Sequence, residues 1–313
     1  MPSGAYDQSL LRPAGPQARE LYEVLTFDLL AVALLWVLMV SLVIYAVTRF
    51  RRRREEEGLP PQVEGNPKLE LGWTIALILG MGVLALHPVK AEFDFEALPR
   101  EGMEVEVIGH QYWWEFRYPE QGIVTANELH IPVGVPVRLK MTSADVIHSL
   151  NIPRLGGKND AIPGRITWMW LQADEPGVYQ GQCFELCGAS HARMLARAIA
   201  HPREEFEAWV KRHQNPVTKP ATPLAQEGEK IFATRCASCH TVDGTPYQGK
   251  VGPNLTGFGE RTVLGGGISP NTRENVLLWL SDPAELKPGA LMPNLGLSQE
   301  EKEALVEYLE GLK

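Results

Sequence analysis

The chain has 313 residues, with 30 lysines and arginines against 38 aspartates and glutamates, and a formal net charge of −8. That length holds two domains beside membrane segments. The acidic balance argues against nucleic acid as a partner, which demands clustered basic charge.

Residues 1–28 read as an N-terminal external segment. Residues 29–47 carry no charge and are dominated by Leu, Val and Ala. Nineteen residues at about 1.5 Å rise reach roughly 28 Å, enough for a bilayer core, so 29–48 reads as a first transmembrane helix. It lacks a basic stretch just before it and ends in arginines, which argues against a cleavable signal peptide. The loop 49–68 opens with Arg49, Arg51, Arg52, Arg53 and Arg54, followed by Glu55 to Glu57. Five arginines beside a span mark the loop as cytoplasmic, which puts both termini outside. A second apolar run, 71–86, is interrupted by Gly72, Gly80 and Gly82. It fits a core helix by length alone. Trp73 and His87 at its ends suit an interface, and 69–88 reads as a second span.

From 89 to 202 the pattern changes to short strands. Residues 103–108, 135–141 and 165–171 alternate, and Gly122, Gly156-Gly157, Pro163-Gly164 and Pro176-Gly177 punctuate them. Many short strands with regular turns indicate a Greek-key sandwich. Late in this region comes Cys183-Phe-Glu-Leu-Cys187-Gly-Ala-Ser-His191-Ala-Arg-Met194. Two thiols, an imidazole and a thioether in one loop suit copper or zinc, and the thioether favours copper. His148 upstream offers a second imidazole. Residues 203–223 form a polar, proline-containing linker, with a short helix near 204–212.

The remaining 224–313 read as helical: 224–235, 271–280 and 298–312, the last with Ser298 as N-cap and Glu301 at the capping-box position. Cys236-Ala-Ser-Cys239-His240 is the attachment pattern for a c-type haem. Two disulfides would also consume the four cysteines, but they require neither His240 beside Cys239 nor His191 and Met194 after Cys187. Met292 is the methionine that follows Met194 in the sequence, and Met/His ligation suits electron transfer. The helix order resembles a small class I cytochrome c. Acidic residues crowd the last helix (Glu300, Glu301, Glu303, Glu307, Glu310), as a solvated face or as a steering field for a basic donor.

As a whole, residues 20–313 resemble subunit II of haem-copper cytochrome c oxidase in the caa3-type form, with a cytochrome c fused at the C-terminus. The motifs are Leu69-Glu70 with Trp73, Gly109-His110-Gln111 before aromatics, Asp145-Val-Ile-His148, Asp160 to Arg165 and the metal loop. The resemblance implies a membrane hairpin, a cupredoxin-like sandwich and an all-α cytochrome domain. It implies a binuclear CuA centre in which Cys183 and Cys187 bridge two coppers. His148 and His191 cap one each, and Met194 and the Glu185 carbonyl bind weakly. It also implies one covalent haem c on Cys236 and Cys239 with His240 and Met292 on the iron, and a magnesium ion shared with subunit I through Glu185. Glu70 matches an acid at the cytoplasmic mouth of a proton channel; from sequence alone it reads equally as an anion favoured by a helix start.

Many members carry a tryptophan where this chain has Tyr112, followed by Trp113 and Trp114, the aromatics where electrons would enter. That departure weakens direct docking of a soluble cytochrome on the copper domain. A linker of about twenty residues would hold the fused haem at roughly millimolar effective concentration. Partners implied are subunit I, further membrane subunits, lipid, and cytochrome c or another reduced carrier, at a bacterial cytoplasmic membrane. The chain lacks the histidine-rich membrane helices of an oxygen site. His110, His130, His201 and His213 read as structural. A copper chaperone, a quinol-oxidase subunit and a free-standing membrane-anchored electron carrier are the competing readings.

Overall fold

The computed structural model describes residues 7–51 and 64–313. Arg52, Arg53 and Arg54, most of the arginine cluster, lie outside the described residues. The chain divides into two compact units, Glu20–Ala97 on one side and Met1–Arg19 with Leu98–Lys313 on the other.

The helical unit is built on α1 (Pro16–Arg49) and α2 (Pro67–Glu96), both long and apolar enough to cross a membrane. Both outrun the apolar runs because polar turns continue the helix at each end. Pro67 opens α2 where a missing N–H costs nothing, and the Asn66 side chain accepts from the amides of Lys68 and Leu69. Leu30, Leu34, Trp36, Leu79 and Met81 are all exposed, which is the pattern of helices whose solvent is lipid. Phe27 of α1 meets His87 of α2 edge to face, ring centroids 5.3 Å apart.

The β unit has ten strands in chain order: β1 (Met103–His110), β2 (Trp113–Tyr118), β3 (Ile123–Ala126), β4 (Glu128–Pro132), β5 (Val137–Ser143), β6 (His148–Asn151), β7 (Lys158–Ala161), β8 (Thr167–Leu171), β9 (Gly177–Cys183) and β10 (Leu195–His201). They form two sheets, ordered β3-β2-β1-β5-β8 and β4-β10-β9-β6-β7. β1 runs parallel to β5 and β4 parallel to β10, so neighbours in space are distant in sequence, as in a Greek key. Inward positions of both sheets supply the core: Trp114, Phe116, Leu129, Ile131, Leu139, Met141 and Leu150 are fully buried. β5 starts at Val137, after Pro136, whose carbonyl accepts from Met103 at 3.0 Å. The N-terminal segment joins this core. The Ala14 amide donates to Arg154, and the Asp174 amide donates to Ala14. A Cβ on Gly15 would lie 2.1 Å from the Gln172 carbonyl, so only glycine permits that approach.

The linker expected at 203–223 is mostly helix. Phe206 and Trp209, three apart on one face of α3 (Arg203–Gln214), are buried in the sandwich core. Residues 215–222 alone connect it to the next domain.

That domain comprises α4 (Pro223–Arg235), β11 (Val263–Leu264), β12 (Ser269–Pro270), α5 (Arg273–Ser281), α6 (Pro283–Leu286) and α7 (Gln299–Glu310). The expected capping box is present: Ser298 accepts from the Glu301 amide, and Glu301 returns a bond to the Ser298 amide. α4 crosses α7 so closely that a Cβ on Gly228 would lie 2.0 Å from the Ala304 carbonyl. The acidic face of α7 is not simply solvated. Arg273 of α5 bonds Glu303 (2.8 Å), Glu307 (3.2 Å) and Glu310 (2.9 Å), which leaves less free charge to steer a donor.

Candidate metal and haem sites

β6 and β9 are paired with Leu150 opposite Cys183, and β9 pairs with β10 with Gln182 opposite Leu195. This register sets His148, at the start of β6, beside Cys183, at the end of β9. It also closes the loop 184–194 at both ends, where the Cys183 amide donates to the Met194 carbonyl (2.9 Å) and Phe184 to Ser149 (2.8 Å).

The donor atoms converge. Sγ of Cys183 is 3.9 Å from Sγ of Cys187 and 3.9 Å from Nδ1 of His148. Sγ of Cys187 is 3.7 Å from Nδ1 of His191 and 3.9 Å from Sδ of Met194. The Cys183 thiol donates to the Glu185 carbonyl at 3.3 Å. His148, Cys183 and Cys187 by themselves form a group able to hold a metal ion. All four cysteines of the chain are free, so this pair is not a disulfide. Two soft sulfurs, two imidazoles, a thioether and a carbonyl fit copper in chemistry and spacing.

Polar neighbours orient these donors. Asp145 Oδ1 is 2.7 Å from Nε2 of His148, so Nδ1 faces the sulfurs. Gln111 donates its side-chain N–H to the Cys187 carbonyl at 2.5 Å. Burial holds the His148 pKa below the usual value against the opposing pull of Asp145. Burial, then the adjacent Cys183 sulfur, pushes the Cys187 thiol up to about 12. Metal uptake therefore displaces protons.

The second site is a cleft lined by Cys236, Cys239, His240, Met292, Phe232 and Leu305, among others. His240 Nδ1 donates to the Pro253 carbonyl at 2.8 Å, which leaves Nε2 free for iron. A Cβ on Gly252 would lie 2.5 Å from Cε1 of His240. Trp279 donates its indole N–H to Sδ of Met292 across 3.2 Å. Burial, then Cys239, pushes the Cys236 thiol up to about 11, and burial lowers the His240 pKa. Paired thiols, one fixed imidazole and a thioether on an apolar cleft fit a covalent haem.

The three aromatics do not share one exposed face. The alternation of β2 turns Trp114 fully inward, edge-on to His148 at 5.8 Å. Trp114 is thus a core residue rather than a docking surface. Trp113 is half-buried and stacks on His110 at 4.1 Å. Tyr112 is buried and lines the haem cleft, while its hydroxyl approaches Gly188 next to Cys187. Glu185 is half-buried. Glu70 lies in the first turn of α2, in the other unit. His130 Nδ1 is 2.8 Å from His201 Nε2, and Trp209 stacks on His130 and tilts against His213. These histidines, and His110, lie outside both clusters.

The residues that sequence reading missed are supports: Trp279 and two buried ionisable side chains, Glu128 and Lys287, while Gln111 was visible only within the Gly109-His110-Gln111 motif. Asp145 was visible only as part of a motif, and its position three before His148 was the available signal.

The family described as cytochrome c oxidase subunit II, periplasmic domain, matches residues 121–199, and cytochrome c matches 225–313. Cytochrome c oxidase subunit 2 of Alkalihalophilus pseudofirmus is 38% identical over 318 residues, covering 99% of this chain and 92% of that protein. Cytochrome c oxidase subunit 2 of Bacillus sp. strain PS3 is 40% identical over 286 residues, covering 84% and 80%. Quinol oxidase subunit 2 of Bacillus cereus is 32% identical over 226 residues, covering 69% and 77%.

Proposed function

The chain belongs to the cytochrome c oxidase subunit II family, and from that premise we propose that it is the subunit through which electrons enter a caa3-type haem-copper terminal oxidase. A reduced carrier, cytochrome c or another, delivers electrons that pass by way of haem c and CuA to haem a of subunit I. Oxygen is reduced to water there, coupled to proton pumping. One observation carries this reading: a cluster of two thiols, two imidazoles and a thioether shares a compact unit with a Cys-x-x-Cys-His cleft, and Tyr112 reaches both.

Cys183, Cys187, His148, His191, Met194 and the Glu185 carbonyl would hold the two coppers of CuA. Cys236 and Cys239 would carry the haem, with His240 and Met292 on its iron. Bound there, the two groups would supply one-electron chemistry. The chain's own part is to hold the donors still. Asp145 and the Pro253 carbonyl fix the rotation of the two imidazoles, and Trp279 aims Met292. Burial of Cys183, Cys187 and Met194 keeps water out.

The Glu185 carboxylate would reach a magnesium ion shared with subunit I. Glu70, at a helix start, is the acid at the cytoplasmic mouth of a proton channel. Both termini and the two metal-binding domains lie outside a bacterial membrane. The packing of Ala14 into the sandwich supports a common side for that segment and the sandwich. Of the aromatics, Tyr112 retains the place between the two sites.

A quinol-oxidase subunit needs no copper donors, a chaperone needs no haem cleft, and a free-standing carrier needs no subunit I. The deciding experiment determines copper and haem per chain in detergent-purified protein and records its electron paramagnetic resonance spectrum. Two coppers, one haem and a mixed-valence signal lost in Cys183→Ser, with co-migration of a haem a subunit, are the expected result. Haem without copper would overturn the reading.

A further inference from the structure

Two charged side chains cross the boundary between the sandwich and the haem domain in opposite directions. Glu128, on β4, is 1% exposed. Its Oε1 accepts from the amides of Thr262 (2.8 Å) and Val263 (3.1 Å) and from the Thr262 hydroxyl. Arg197, in register with Glu128 on β10, donates to the same hydroxyl at 3.1 Å. Lys287, from the haem domain, is 3% exposed and donates to the Tyr112 carbonyl (2.6 Å) and to Gly265 (2.7 Å). A Cβ on Gly266 would lie 2.2 Å from its Nζ and 2.7 Å from the Tyr112 carbonyl, so the bare backbone is what lets the ammonium in. Beside it the Leu195 amide donates to Gly266 (2.9 Å), and Ser190 of the copper loop donates to Pro288 (2.6 Å).

Burying a charge is costly unless directed hydrogen bonds replace its water. Here those bonds come largely from the other domain's backbone; burial pulls the Lys287 pKa down to about 7, so its bonds to the Tyr112 and Gly265 carbonyls are strongest below that pH, where they are charge-assisted. Such contacts fix one geometry, unlike an apolar patch that tolerates sliding. Lys287 precedes Met292 by five residues and touches Tyr112, so the register it sets is that of the haem cleft against the copper loop.

We infer that Glu128 and Lys287 are positioning residues, a pair of reciprocal pins that lock the haem domain onto the copper sandwich in a single docked arrangement. The fused domain is then a fixed relay partner rather than a tethered one that samples the surface. This role deepens the relay reading and rests on it for its purpose.

The test is hydrogen–deuterium exchange on the full chain in detergent, matured with haem and copper, comparing wild type with Lys287→Met and Glu128→Gln. The amides of Thr262 and Val263 report one pin and that of Leu195 the other. If both pins hold one docked state, each substitution raises exchange at both places, by about tenfold or more for the loss of a charge-assisted bond. The amides of α4 and α7 stay protected. Faster exchange only beside the substituted residue, or none at all, would overturn the proposal. Loss of protection throughout α4 and α7 would also overturn it, by making the residues folding determinants. Exchange needs no electron transfer, and haem and copper are assayed on the same samples, so failure of the docking and failure of the relay are told apart.

Discussion

Asp145 Oδ1 sits 2.7 Å from Nε2 of His148, while the same imidazole turns Nδ1 towards Cys183. The carboxylate is itself held by the amides of Gln111 (2.7 Å) and Val146 (2.6 Å). Asp145→Asn should leave the fold intact but lower copper affinity about ten- to a hundredfold, the usual cost of losing such a support. Competition against a chelator of known affinity checks it, with haem content unchanged.

Two glycines give a matched pair of substitutions. A Cβ on Gly109 would lie 2.6 Å from Cδ2 of His148, and one on Gly252 would lie 2.5 Å from Cε1 of His240. Overpacking of this kind costs about 1–3 kcal/mol. Gly109→Ala should disturb only the copper spectrum, and Gly252→Ala only the haem spectrum. Optical and paramagnetic spectra of both variants decide the matter, and a crossed effect would contradict the assignment of the two imidazoles.

The indole of Trp279 withdraws electron density from Sδ of Met292 through its hydrogen bond. Trp279→Phe removes that donor, so the sulfur becomes the better electron donor and the haem potential should fall by tens of millivolts. Redox titration of the haem band measures the shift. An unchanged potential would mean that Met292 is not on the iron.

His201 and His213 both have pKa values pushed down to about 4, chiefly by burial and further by neighbouring His130. Each is neutral when folded and protonated more readily when unfolded, so the unfolded chain binds more protons between pH 6.5 and 4. Stability contributed by these rings is complete above pH 6.5 and is lost as pH falls towards 4. Thermal unfolding of the full chain followed from pH 7.5 to 4 should show this loss. His201→Asn should flatten the profile.

Contiguous and chemically distinctive features were legible in the sequence. Apolar runs announced α1 and α2, and the cysteine spacings announced both sites, because donor type and spacing are local properties. The pairing of β6 with β9, which carries His148 to Cys183, was not legible in the four residues His148–Asn151; only His148's place among the ligands was implied, by family likeness. The inward turn of Trp114 follows from the phase of β2, and a one-residue shift would have exposed it. Phe206 and Trp209 were hidden in a segment that is otherwise polar and proline-flanked. Glu128 and Lys287 gave no signal, since each is buried by a domain more than a hundred residues away in the chain.

Five of the six donors at the copper cluster lie within the twelve residues 183–194, a stretch that begins at the last residue of β9 and ends just before its paired neighbour β10. The ligand set can therefore be inherited or lost as one short cassette while the sandwich beneath it persists. A deletion confined to that hairpin tip would strip the chain of copper yet leave its membrane helices and haem cleft in place.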